Sequence, residues 1–187
     1  MMDQFREEVA TKQNTRVQGI MIALAWIVMI VSALFAVINM NSLAYLFSGE
    51  YDVLMIIINI LLFFVAPAGL AVLIYLKKDT LKTEYEYTFT NGSLDFAQVF
   101  NNRKRKNLGT MNLKNITACG KVASGSFNRY INMTGVKKSN WFVNREADLF
   151  YIYFEKEGNK RIIILEPSNE MVDMIRHAVP QGAYQVN

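Results

Sequence analysis

Two stretches without a single charged residue dominate the hydropathy pattern, Gly19–Ile38 and Val53–Leu76. A helix rising about 1.5 Å per residue needs roughly 20 residues to cross a hydrocarbon core of about 30 Å. The runs hold 20 and 24 residues, so the pattern predicts a transmembrane helical hairpin, its second helix somewhat tilted. The first run reads as a retained helix. It exceeds the roughly 7–15 apolar residues of a signal peptide, and no small-x-small cleavage site follows it. Asp3, Glu7 and Glu8 precede it, which a signal n-region seldom carries.

After Lys82 the pattern changes to a period of two. Glu84–Thr90 alternates charged or hydroxyl side chains with aromatics, as a half-buried strand does. Asn91-Gly92 is a strong hairpin signal, because a type I′ turn needs positive φ at both central positions. Ser93–Phe100 continues the alternation, with Leu94 and Phe96 inward and Val99 a third inward candidate. Asn101-Asn102 predicts a second turn, and Arg103–Leu113 a third strand. Leu149–Phe154 and Arg161–Leu165 read as strands around a Gly158-Asn159 turn. Pro167 ends the last strand, and Ser168 caps a helix that carries Met171, Val172 and Ile175 on one face until Pro180. Residues 121–147, rich in Gly, Ser, Asn and Lys, give no clear pattern beyond one or two short strands and a loop around Phe127–Tyr130.

The fold class is therefore a membrane α-helical hairpin plus an α+β cytoplasmic domain, a bent antiparallel sheet or barrel plugged by a C-terminal helix. The expected organisation is a lead-in over 1–18, transmembrane helices over 19–38 and 53–76, and an external loop over 39–52. A juxtamembrane linker over 77–82, the domain over 83–180 and a tail over 181–187 complete it. In the lead-in, Phe5 and Val9 suggest a weak interfacial stripe on a short helix.

Charge sets the orientation. Arg6, Lys12 and Arg16 precede the first run and Lys77, Lys78 and Lys82 follow the second, whereas residues 39–52 carry only Glu50 and Asp52. Positive flanks resist translocation, so both termini are expected in the cytoplasm of a multi-pass plasma-membrane protein. Three Asn-x-Ser/Thr triplets, at Asn91, Asn115 and Asn132, are read as chance occurrences in an Asn-rich chain. The part from Lys77 onward has 17 Lys/Arg against 11 Asp/Glu.

The membrane segments contain no Asp, Glu, Lys, Arg or His, so they offer no transport pathway. Asn59 is expected to hydrogen-bond the partner helix or a second copy. Pro67 is expected to kink the second helix and, with Gly69, to provide a close-packing patch facing Ser32 and Ala36.

The run Tyr87-Thr-Phe-Thr-Asn-Gly-Ser-Leu-Asp, the basic Arg103–Lys106, and Leu113-Lys-Asn-Ile116 together resemble the bacterial pleckstrin-homology-like (PH-like) domains of small membrane proteins. Arg161-Ile-Ile-Ile-Leu-Glu-Pro-Ser is similar to their last strand and Pro-initiated helix. Within that group the chain looks closest to an uncharacterised set with a two-helix anchor. The resemblance covers about residues 83–180 and implies a fold and no catalytic site.

Arg103, Lys104, Arg105 and Lys106 are the most provocative polar feature. On a strand, Arg103 and Arg105 would share one face and Lys104 and Lys106 the other. Two readings stand side by side: contact with anionic headgroups or a partner, at about 1 kcal/mol per basic residue, or protection of an exposed sheet edge. Nucleic-acid binding lacks any accompanying recognition motif. One histidine, His177, excludes a metal site built on His pairs, and no cofactor motif is present. Cys119 reads as a small buried strand residue and not as a nucleophile. Asp148, Glu155, Glu157 and Glu166 read as solvent-facing alternation, and Trp141-Phe142 as core. The sequence thus favours a non-enzymatic interaction or scaffold module at the membrane surface. It would bind the bilayer and an unidentified protein, with self-association possible through the helices. The competing class is an accessory subunit of a transport or secretion complex acting through the hairpin.

Overall fold

The computed structural model describes residues 4–40 and 52–186. It divides into two compact units: Asn14–Lys82, and a second formed by Met1–Gln13 together with Thr83–Asn187.

The first unit is the apolar hairpin. Helix α1 spans Arg16–Ile38. The second helix is continuous over Val53–Leu81, built from α2 (Val53–Ile60), a π-helical turn (Leu61–Val65), α3 (Ala66–Lys77) and a 3₁₀ turn (Lys78–Leu81). Both are long and apolar enough to cross a membrane. The expected external loop falls largely outside the described residues. Phe35 stacks on Phe63 with ring centroids 6.0 Å apart, and Gln18 Nε2 donates to the Leu81 carbonyl at 2.8 Å. Ser32 is the one buried residue among those described in α1, and Ala36 lies half-buried one turn on.

Pro67 acts through the helix ladder. It has no N–H and crowds the carbonyl four residues back, and the turn before it widens so that the Ala66 N–H reaches the Leu61 carbonyl. Two packing expectations are affected. Asn59 Nδ2 turns back on its own helix, donating to the Met55 carbonyl at 2.8 Å, so of its two expected partners, α1 or a second copy, this single chain does not pair it with α1. Gly69 is exposed, and a Cβ placed there would meet nothing within 4 Å, so it forms no close-packing patch with α1.

The second unit begins before the hairpin. Residues 5–10 are not an interfacial helix but strand β1 (Phe5–Ala10), antiparallel to β2 (Thr83–Thr90). The physical reason is register. Arg6, Glu8 and Ala10 point to the side of Phe89, Tyr87 and Tyr85, whereas Phe5 and Val9 point outward and stay exposed. Strands β3 (Ser93–Phe100) and β4 (Lys104–Asn112) complete a four-stranded sheet in the order β1-β2-β3-β4. The Asn91-Gly92 and Asn101-Asn102 turns both have positive φ, as their sequence demands.

The remaining strands are β5 (Ala118–Lys121), β6 (Lys137–Trp141), β7 (Phe150–Lys156), β8 (Asn159–Leu165) and β9 (Tyr184–Gln185). They form a second sheet in the order β6-β8-β7-β5-β9. The pairings β6–β8 and β5–β9 are parallel, so this sheet is mixed where a purely antiparallel one was expected. The β7–β8 turn is centred on Glu157-Gly158, one residue earlier than the sequence suggested.

The expected barrel is not closed: the two sheets face one another as separate layers, with β4 and β6 as unjoined edges. Tyr87, Phe89, Leu94 and Phe96 pack from the first sheet against Phe150, Ile152, Ile163 and Leu165 of the second. Val99 is buried but lies on the opposite face from Leu94 and Phe96, correcting its inward assignment. Helix α5 (Asn169–Ala178) plugs this core with Met171, Val172 and Ile175. Residues 121–147 supply β6 and a short helix, α4 (Gly125–Ile131), where a loop was expected. Its Phe127 and Tyr130 cover the outer face of β7 at Tyr151 and Tyr153.

Candidate functional site

Edge strands β4 and β6 frame a cleft of about 370 Å³. One wall is β4 from Leu108 to Asn112; the other is β6, through Ser139 and Trp141. Phe96 and Ile163, both buried, lie at its floor, while the exposed Lys156 and Arg161 stand at its rim. The Trp141 ring sits 4.9 Å from Phe96 between centroids, half-buried. Trp141 is thus a wall of the cleft as well as a core contact, more than the core role read from the sequence.

A β-bulge shapes the β4 wall. Phe96 faces Gly109 and Ala97 faces Asn107, leaving Leu108 as the extra residue. Gly109 adopts a φ of 132°, a region that side chains avoid, and its N–H is held by Asn107 Oδ1 at 2.8 Å. Beyond the bulge, β4 has β3 on one side only. Every second residue of an edge strand turns its backbone N–H and C=O away from the sheet, and these groups are open to pairing.

The basic run lies at the start of this same edge strand. Arg103 belongs to the turn, so it does not share a strand face with Arg105; only Lys104, Arg105 and Lys106 are in β4. All four are exposed. Arg105 Nε stands 2.8 Å from a Glu86 carboxylate oxygen that has no aligned hydrogen bond, an ion pair and no more. Lys104 and Lys106 have no carboxylate partner among the described residues. Their position on an edge gives the edge-protection reading its structural footing.

Two polar networks, neither foreseen, hold the sheets and the N-terminal segment together. Glu8 accepts the Ser168 N–H at 2.9 Å and also binds the Ser168 hydroxyl and Arg6 Nε. Arg6 reaches on to Glu170 at 3.3 Å. The Glu8 side-chain bond chiefly raises the Arg6 pKa, and the Ser168 bond chiefly lowers that of Glu170. In the second network Glu166 accepts the Val143 and Asn144 N–H groups at 3.1 and 2.9 Å. Asn144 in turn bonds the Thr11 carbonyl at 2.8 Å and the Gln13 N–H at 3.0 Å. Glu166 is therefore a structural clamp and not a solvent-facing member of an alternating row. The available signal was its place directly after a buried strand and before Pro167.

The remaining chemistry-bearing residues are dispersed. Asp148 pairs with Lys121 at 3.2 Å, and Glu155 accepts the Tyr153 hydroxyl at 2.9 Å. Tyr87 donates to the Trp141 carbonyl and receives the Glu166 N–H at 3.3 Å, and its burial raises its pKa. Cys119 is fully buried and its thiol is pushed up to about 12 by desolvation, while His177 is exposed on α5. A thiol so placed is not an activated nucleophile. Among the described residues no three His, Cys, Asp or Glu side chains gather as a metal site. What the cleft can do is bind: an apolar floor, an aromatic wall, a free strand edge and a basic rim.

No curated protein and no solved structure gives a significant match to this chain. One family description does, Bacterial PH-like domain (DUF6106), over residues 2–185. That match takes in β1, the apolar hairpin and both sheets, so the split arrangement falls within the family's bounds. The chain belongs to the bacterial PH-like domain family.

Proposed function

We propose that this protein is a non-enzymatic interaction module held at the cytoplasmic face of a membrane by a transmembrane hairpin. The observation that carries this reading is the insertion of two long apolar helices between two strands of one sheet, β1 and β2. Because those strands pair along their length, both ends of the hairpin must emerge on the same side of a bilayer. The basic residues that flank it, Arg16 before and Lys77, Lys78 and Lys82 after, favour the cytoplasm for that side. Lys78 lies 3.9 Å from the Tyr75 ring and 5.1 Å from that of Trp26, an aromatic and cationic grouping suited to a headgroup region. Exposed Lys104 and Lys106 are placed on a free edge, where contact with anionic headgroups would orient the domain without being needed to anchor it.

Fractionation of cells tests this reading. The full chain should stay with the membrane through an alkaline carbonate wash, and a Lys104→Gln/Lys106→Gln variant should stay equally. Replacement of residues 14–82 by a short linker should release the domain. Removal of the full chain by carbonate would overturn the anchor.

A further inference from the structure

We propose that the cleft between β4 and β6 binds an extended acidic peptide segment of a protein partner, which adds as a strand to the free edge of β4. This rests on the reading of the protein as an interaction module and names what the module takes.

Three features converge. The first is the unpaired edge, since a strand with a free ladder recruits another extended chain through main-chain hydrogen bonds. The second is the pocket beside that edge. Phe96, Ile163 and Trp141 offer an apolar floor and wall to alternate side chains of an added strand. The third is charge. Lys156 and Arg161 stand at the rim without a carboxylate partner among the described residues, and Lys137, Lys138, Lys104 and Lys106 are exposed on the two edge strands. The one acidic residue lining the cleft, Glu155, already accepts the Tyr153 hydroxyl. An occupant that alternates apolar and acidic residues satisfies the pocket with one set of side chains and the rim with the other. A basic or neutral segment leaves the surplus cations uncompensated.

At Gly109 the backbone N–H is already held by Asn107 Oδ1, so an added strand pairs with β4 to either side of the bulge. Gly109 lines the cleft at the bulge, and a Cβ there would meet nothing within 4 Å, so the wall is open at that point.

The test uses the full chain in nanodiscs of phosphatidylcholine, carrying Trp26→Phe so that Trp141 is its one tryptophan, with empty nanodiscs as the fluorescence blank. The probe is a peptide of alternating valine and glutamate, titrated beside its valine–lysine counterpart and two N-methylated forms, each blocking one alternate set of amides. The proposal expects saturable binding of the glutamate peptide and a shift of the Trp141 signal. Affinity should fall about tenfold or more in Lys156→Glu/Arg161→Glu, where paired charges become repulsive, and stay unchanged in the remote Arg129→Glu. One N-methylation pattern should abolish binding and the other should not, because an added strand pairs through one set of amides. Equal binding of the lysine peptide, equal tolerance of both N-methylated forms, or no binding would each overturn the proposal. So would a Trp141 response to phosphatidylglycerol nanodiscs with none to peptide, which would make the cleft a lipid contact. Loss of the anchor reads out separately, as failure of the chain to remain in the disc.

Discussion

Ala10 lies directly opposite Tyr85 across the β1–β2 ladder, with the whole apolar hairpin between them in the chain. The domain is therefore discontinuous, and its edge strand comes from the segment before the first long helix. A fragment that begins after the hairpin lacks β1, the Glu8 clamp on Ser168 and both backbone contacts to Asn144. Residues 4–13 joined to 83–187 by a turn of about two to five residues should fold as a soluble domain. Residues 83–187 alone should be less stable by at least about 2 kcal/mol, given the unsatisfied groups left behind. Urea unfolding followed by circular dichroism compares the two. Equal midpoints would show that β1 contributes nothing to the fold.

Glu8 is the keystone of the N-terminal network, because its carboxylate meets the Ser168 N–H, the Ser168 hydroxyl and Arg6 at once. Glu8→Ala leaves the half-buried start of α5 without that acceptor and should cost about 1–3 kcal/mol. Glu8→Gln keeps an acceptor oxygen and should cost less. Thermal denaturation of the full chain in detergent orders the three proteins. A Gln variant as damaged as the Ala variant would mean that charge, not the acceptor, matters.

Gly120 is held by close backbone approach. A Cβ there would stand 2.6 Å from the Gln185 carbonyl oxygen, which belongs to the parallel partner β9. Gly120→Ala should displace β9 and cost about 1–3 kcal/mol through overpacking. Faster hydrogen exchange at Cys119, whose N–H is bonded to the Ala183 carbonyl at 2.8 Å, would report the displacement. Unchanged protection there would contradict it.

The Cys119 thiol makes a pH-dependent prediction. Burial raises it from an ordinary 9.0 to about 12, so the folded state keeps its proton while the unfolded chain releases it. Its contribution to stability is full below the unfolded value and is lost as pH rises from 9.0 toward about 12. A disulfide-exchange reagent at pH 8 should label Cys119 only when the chain is unfolded. Prompt labelling of native protein would show an exposed thiol.

Much of the domain was legible in its local chemistry. Asn91-Gly92, Asn101-Asn102 and the Pro167-Ser168 start of α5 each encode a backbone geometry that few residues satisfy, and each stands where its sequence placed it. The strand role of residues 5–10 was hidden. Its inward residues Arg6 and Glu8 are polar because they clamp α5, while its apolar Phe5 and Val9 face outward, inverting the usual pattern. Helix α4 was hidden too, since it spans only Gly125–Ile131 and opens on Gly-Ser. A clue to it lay elsewhere, in the uninterrupted apolar run Phe150–Phe154, which is the mark of a strand covered on both faces. The cleft could not be read from sequence at all, because it depends on which edges of the two sheets, here β4 and β6, come to lie beside one another. The basic run was visible, but only the sheet order identifies its strand as an edge.

The central claim is that the hairpin crosses a membrane and returns both halves of one domain to the same cytoplasmic side. Single cysteines at Asn39, directly after α1, and at Lys82, directly before β2, test it in intact cells, with the native chain and its buried Cys119 as the silent background. A membrane-impermeant maleimide should label the cysteine at position 39 in intact cells and the one at position 82 only after lysis. Labelling of position 82 in intact cells, or of position 39 only after lysis, would contradict the account.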